Sequence, residues 1–235
     1  MMGRLRNQDG FTVMEVITAM TVGLVLLGST LTLLSSSIRL NTGVVAKTDA
    51  MQRGRLAMDA VTQQLRSQVC FDMDTSAIVA GSDESHVTFY SDYTAEDDPP
   101  IKRTIRITGN GIVSDRFNPP TPLPVDFTPD KYKNIPDSSS LVLENAALLW
   151  DDVENEPVPF LKYYAYEEDD GLLTATQELD TPLDDAEAAR AARVEITYVS
   201  RPTGASDGKK NVTLQDQVMA RHSDPNLAVP DPRCV

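Results

Sequence analysis

The residue in this sequence best placed to do chemistry is Glu15. It is the only charged residue in an apolar run of 24 residues from Phe11 to Leu34. A carboxylate inside a membrane-length segment costs roughly 2.5 to 3.5 kcal/mol on insertion scales, so a partner that neutralises it is expected. The chemistry open to it is ion pairing. Attraction to a cation strengthens in low dielectric, and breaking a buried pair by removing one partner costs about 3 to 5 kcal/mol. Such a contact would fix the register between packed helices.

Other reactive side chains are sparse. The two histidines, His86 and His222, are far apart and have no adjacent nucleophile pattern. Ser35 to Ser37 and Ser138 to Ser140 lack a Gly-x-Ser-x-Gly setting, and there is no glycine-rich phosphate loop. The sequence therefore predicts no catalytic residue, no enzymatic activity and no cofactor. Glu96-Asp97-Asp98, Asp151-Asp152 with Glu154 and Glu156, and Glu167-Glu168-Asp169-Asp170 offer the hard oxygen ligands that calcium takes. None has EF-hand spacing, so these clusters read as solvated loop charge and no metal site is assigned. Cys70 and Cys234 are an even pair that suits a disulfide in an oxidising compartment, or they are two separate thiols. Spacing alone does not place their Cα atoms within bonding distance.

The elements that would position these residues follow from periodicity and punctuation. At about 1.5 Å per residue, Phe11 to Leu34 spans roughly 36 Å as a helix, enough to cross a bilayer core with some tilt. A secretory signal has a shorter apolar core, of about 7 to 15 residues, and a small-x-small cleavage site. All 15 prolines lie at or beyond Pro99, so one long helix is permitted before them. Ser35-Ser36-Ser37 and Asn41-Thr42-Gly43 mark the exit from the bilayer and a place where the helix is expected to bend. Helical steps then resume through Gly54, Met58, Val61, Leu65 and Val69, a face expected to pack on a sheet. Gly23 and Gly28, with Thr18, Ala19, Thr21, Ser29, Thr30 and Thr32, form a small-residue stripe that allows close helix packing.

Beyond the helix the pattern shortens toward period two. Strands are predicted at His86–Tyr90, Thr104–Thr108, Leu141–Leu143, Leu148–Trp150, Phe160–Tyr166 and Arg193–Val199, with a hairpin turn supplied by Thr108-Gly109-Asn110-Gly111-Ile112. Leu183 to Ala192 reads as a short helix with Asp184, Asp185 and Glu187 at its amino end, as the macrodipole favours. Asn118 to Pro136 holds six prolines and reads as a long surface loop, mobile or pinned from outside. The whole is an α+β chain, a long amino-terminal helix packed on an antiparallel sheet. Its 235 residues leave room for one globular domain after the helix. A net charge of −14 and a pI near 4.5 argue against direct nucleic-acid binding. Charge does not decide orientation, because Arg4 and Arg6 precede the span while Arg39, Lys47 and Arg53 follow it.

The amino-terminal residues resemble the class III signal of type IV pilins and type II secretion pseudopilins. A short polar leader ends at Gly10, Phe11 follows, and Glu15 lies four residues further on. Gln8-Asp9 stand where the family usually carries a basic residue. Gln52 to Asp59, continuing to Leu65-Arg66, resembles minor pilins of the PilW type and J-type pseudopilins, and Asn211 to Val218 with Arg221 more loosely resembles their last strand.

The resemblance implies four segments: a cleaved leader at 1–10, a transmembrane or filament-core helix at 11–34, its exposed amphipathic half at 35–70, and an acidic strand-rich domain at 71–235. It implies cleavage by prepilin peptidase between Gly10 and Phe11, N-methylation of Phe11, and an assembly contact at Glu15. The implied partners are other pilin or pseudopilin subunits, the peptidase, an inner-membrane assembly platform, and membrane lipid before assembly. The leader would be cytoplasmic, and the domain extracytoplasmic and then on a cell-surface or periplasmic filament. The function implied is that of a structural, minor subunit. The alternative is a single-pass anchored binding or sensory domain that never polymerises, with its leader retained and Glu15 dispensable.

Overall fold

A computed structural model describes residues 11–71, 75–91, 99–124, 126–151, 153–169, 172–203 and 211–219. The chain divides into two compact units, with the boundary between Val45 and Ala46. One helix, α1 (Val13–Arg66), includes Ser35–Ser37 and Gly43. The Thr42 hydroxyl donates to the Arg39 carbonyl at 2.9 Å, a bond within the helix.

In the second unit the chain continues through β1 (His86–Ser91), β2 (Ile101–Thr108), β3 (Gly111–Phe117), β4 (Ser138–Glu144), β5 (Ala146–Ala147), β6 (Trp150–Asp151), β7 (Glu156–Pro157), β8 (Leu161–Asp169), β9 (Leu172–Glu178), α2 (Asp185–Arg190), β10 (Arg193–Ser200) and β11 (Val212–Met219). Strands β1-β2-β3-β4 form one antiparallel sheet. A second has the order β11-β10-β8-β9, with β5 also pairing with β10, and β6-β7 is a separate hairpin. The α+β expectation thus holds, with two principal sheets in place of one. Asn145 makes the crossing between them. At φ 60°, a left-handed conformation that Asn tolerates, its N–H donates to Asn110 beside the first sheet while its carbonyl accepts from Arg201 beyond β10.

Helical spacing seats the carboxy-terminal half of α1. Gly54, Met58, Val61 and Leu65 are buried as predicted, and Ala50, Ala57 and Thr62 join them, whereas Val69, expected on the same helical face, lies past the end of α1, is half-buried and donates its N–H to the Tyr90 carbonyl at 2.9 Å. Full burial of Val61 and Leu65 contributes about 1.5 to 3 kcal/mol each. They share one core with Val87, Phe89, Ile105, Ile112 and Leu143 of the first sheet and Tyr163, Val194, Ile196 and Tyr198 of the second. Three polar contacts align the helix. Tyr198 donates to the Gly54 carbonyl at 2.7 Å, Ser200 to the Ala50 carbonyl at 2.8 Å, and Ser114 to the Gln64 side chain at 2.7 Å.

This seat is tight at Gly54. A Cβ there would lie 2.2 Å from Leu214 Cδ1 and 3.0 Å from Ser200 Cβ. The Leu214 methyl can swing aside, but the Ser200 Cβ is fixed by its strand. Gly54→Ala gains about 1 kcal/mol of helix propensity against that crowding and is expected to change little. Gly54→Val forces the helix off β10 and is expected to cost about 1 to 3 kcal/mol, read from the urea midpoint of the full chain in detergent. An unchanged midpoint for the valine variant would show that α1 is not seated here.

The proline-rich stretch is held from within, which corrects the expectation of a loop mobile or pinned from outside. Tyr132 is buried, packs against Phe71, Tyr90 and Phe127, and donates to the Pro100 carbonyl. Asp137 closes the loop by accepting from the Asn118 N–H at 2.7 Å and from Lys133 at 2.8 Å. The short helix is trimmed to Asp185–Arg190 but begins as expected: Asp184 and Glu187 form a reciprocal capping box.

Asp83 organises the turn into β1. One carboxylate oxygen accepts from the Ser85 N–H and hydroxyl and the His86 N–H, and lies 2.8 Å from His86 Nδ1. Burial pushes this carboxyl up, but the bonds from Ser85 and His86 together outweigh it and hold it below its usual value. A depressed carboxyl gives stability that is complete above the unfolded value near 4 and lost as pH falls through the lower folded value. Asp83→Asn is therefore expected to flatten the acid limb of the stability curve below about pH 4, measured by urea titration.

Candidate functional site

The first unit is the amino-terminal part of α1, and its geometry follows from an unbroken apolar helix with hydroxyl side chains. Every residue from Phe11 to Thr42 is exposed, including Leu24, Val25, Leu26 and Leu27. By length and composition this helix is able to cross a membrane. Five hydroxyls of the apolar run are satisfied internally. Thr18 donates to the Met14 carbonyl at 2.9 Å, Thr21 to Thr18 at 2.9 Å, Ser29 to Leu26 at 2.8 Å, Thr30 to Leu27 at 2.9 Å and Thr32 to Ser29 at 2.8 Å. Groups bonded in this way need no water and are tolerated in hydrocarbon. The hydroxyl part of the small-residue stripe is thus occupied within the helix, whereas Gly23 and Gly28 leave open space beside the backbone.

Glu15 lies in the first turn of α1. Thr12 starts the helix: its carbonyl accepts from the N–H groups of Glu15 and Val16 at 3.0 and 3.2 Å, and its hydroxyl accepts from the Glu15 N–H at 3.4 Å. Thr12-Val13-Met14-Glu15 therefore has the S/T-x-x-E spacing of a capping box, with the threonine half formed. The apolar run masks this signal in the sequence. A carboxylate in a first turn gains about 0.3 to 1 kcal/mol from the helix dipole. Were the segment to leave water or pack among other helices, desolvation would cost that carboxylate several kcal/mol, more than the dipole supplies.

The remaining predicted residues are dispersed. Phe11 is 81% exposed immediately before the helix, while Gly10 lies outside the described residues. Cys70, four residues past the end of α1, is disulfide-bonded. Cys234, the other cysteine of the sequence, lies outside the described residues, as do His222 and Glu96-Asp97-Asp98. Among the described residues, no three His, Cys, Asp or Glu side chains gather into an arrangement able to hold a metal ion. An open groove of about 500 Å³ is lined by Glu84, Lys162, Glu178 and Thr181. Lys162 pairs there with Glu178 at 2.9 Å, and the hydrogen bond its ammonium donates to that carboxylate raises the Lys162 pKa. An ammonium held in this way is a poor nucleophile. No family model and no curated protein matches the chain.

Proposed function

We propose that the chain is a structural subunit of a type IV pilus or related pseudopilus, of the minor kind its second helical half resembles. The observation that carries this reading is the exposed apolar run from Phe11 to Leu34, whose one charge, Glu15, lies one turn from the Gly10-Phe11 junction. Cleavage there would turn the Phe11 nitrogen into an α-amine, largely protonated near neutral pH. The Glu15 carboxylate of a neighbouring subunit is the partner for that cation, and the pair sets the axial register as helices leave lipid for one another. Prepilin peptidase performs the covalent step, an assembly platform extracts the subunit, and the acidic domain stays outside the membrane. The chain itself performs no catalysis and binds no nucleic acid.

The mass of the mature amino terminus tests the proposal. A chain beginning with N-methylated Phe11 supports it. A chain that keeps the leader through Gly10 sinks it and leaves an anchored, non-polymerising domain.

A further inference from the structure

Asn110 is the only asparagine in the sequence that a glycine follows. It stands at the tip of the β2–β3 hairpin, exposed, and its side-chain amide has no hydrogen-bond partner among the described residues. The turn has no room for a side chain at Gly111. Its φ is 139°, and a Cβ there would lie 1.9 Å from the Leu143 carbonyl oxygen. A backbone nitrogen on a residue without a side chain is the least hindered nucleophile a chain offers, and this one follows an asparagine whose amide is free. The Asn110 carbonyl accepts from the Asn145 N–H at 3.1 Å, the contact that ties this hairpin to the crossing between the two sheets.

We propose that Asn110 is a site of spontaneous deamidation and that its isoaspartate product releases this tie. The Gly111 nitrogen gives its proton to solvent base and attacks Asn110 Cγ. A C–N bond forms, the Cγ–Nδ2 bond breaks, and the side-chain nitrogen takes a proton from water and leaves as ammonia. Water then opens the cyclic imide. Addition at Cγ leaves an ordinary aspartate. Addition at the former main-chain carbonyl leaves isoaspartate, in which the chain runs through Cγ and the old carbonyl becomes a free carboxylate. The turn is then longer by one methylene and presents no main-chain carbonyl to Asn145. Thr108 governs the rate. Its hydroxyl donates to the Gly111 carbonyl at 3.0 Å and accepts from the Asn110 N–H at 3.3 Å, and Thr108 pairs with Gly111 in the ladder. The Gly111 nitrogen must leave this pairing to attack, so the step follows local opening of the hairpin end. It needs only water and this turn, whatever the chain assembles into.

The full chain in detergent is aged at mildly alkaline pH beside a sample unfolded in guanidinium chloride. Both are digested in acid and mapped by mass spectrometry with electron-transfer fragmentation, which separates isoaspartate from aspartate. In the folded sample the Asn110 peptide is expected to gain the amide-to-acid mass ahead of every other asparagine, with isoaspartate the larger share. Thr108→Val, which removes both hydroxyl bonds, should speed this conversion roughly tenfold and leave the rate in guanidinium unchanged. The converted fraction, separated by its extra negative charge, should unfold at a lower urea midpoint than the unconverted one. Asn110 left intact in the folded chain after the unfolded sample has converted overturns the proposal. So does conversion with an unchanged urea midpoint, and an equal rate in the folded Thr108→Val chain overturns the control assigned to Thr108.

Discussion

Glu15→Gln is expected to leave the subunit in the membrane at its normal level and to lower its recovery in sheared filaments by about two orders of magnitude. A loss of about 3 to 5 kcal/mol for a broken buried pair corresponds to a factor of at least 10². Glutamine is the informative replacement because the structure offers Glu15 a second role. It occupies the third position after Thr12 at the start of α1, where glutamine completes a capping box about as well as glutamate does. If Glu15 served only the cap, glutamine would assemble normally and Glu15→Leu would fail. If it serves as the partner of a neighbour's α-amine, glutamine and leucine fail alike, since both leave that cation buried without a countercharge. Immunoblots of membrane and sheared fractions for the two variants separate these outcomes, and normal assembly of both would remove Glu15 from the assembly contact altogether.

Much of the architecture was legible because its causes are local. Prolines confined to the later chain permit a long helix, and α1 is one. Gly54, Met58, Val61 and Leu65 have the spacing of a buried face, and they are buried. The Gly109-Asn110 turn joins Thr108 to Gly111 in register, as two-residue hairpins do. What escaped depended on distant partners. The proline-rich loop has no periodicity, so nothing local says that Tyr132 reaches Pro100 and Tyr90; two aromatics among prolines, Phe127 and Tyr132, were the available signal. Strand β9 has the mixed composition Leu-Leu-Thr-Ala-Thr-Gln-Glu, and its strand character comes from pairing with β8, with a register shift between Ala165 and Glu167 that no local rule anticipates. The division into two sheets hangs on Asn145, whose left-handed backbone is stabilised by Asn110 and Arg201 from opposite sides. At the candidate site, the charge at Glu15 was legible from composition, whereas the capping role of Thr12 was hidden because the apolar run draws attention from the polar residue that starts the helix.

The disulfide at Cys70 leads to the second large expected effect. Cys70 stands just past the end of α1, beside Phe71, which packs against Tyr90, Phe127 and Tyr132. With one other cysteine in the sequence, a bond made within one chain has Cys234 as its only candidate partner and would enclose nearly the whole globular domain. In the chain-entropy account a loop of that size restricts the unfolded chain by about 4 to 5 kcal/mol, more than the burial of either Val61 or Leu65 gives. Cys70→Ser with Cys234→Ser is therefore expected to lower the melting temperature by on the order of 10 °C. The same change should steepen the urea transition, because the freed chain exposes more surface on unfolding. That second readout distinguishes a covalent staple from a local packing defect, which would lower the midpoint and leave the slope alone. Peptide mapping without reductant should recover a Cys70–Cys234 pair from the unmodified chain. A dimer linked through Cys70 would instead place the bond between copies, and reduction would then change the stoichiometry along with the stability. If neither the midpoint nor the slope responds in the double-serine variant, α1 and the two sheets are held together by the core and by the Tyr198, Ser200 and Ser114 contacts alone.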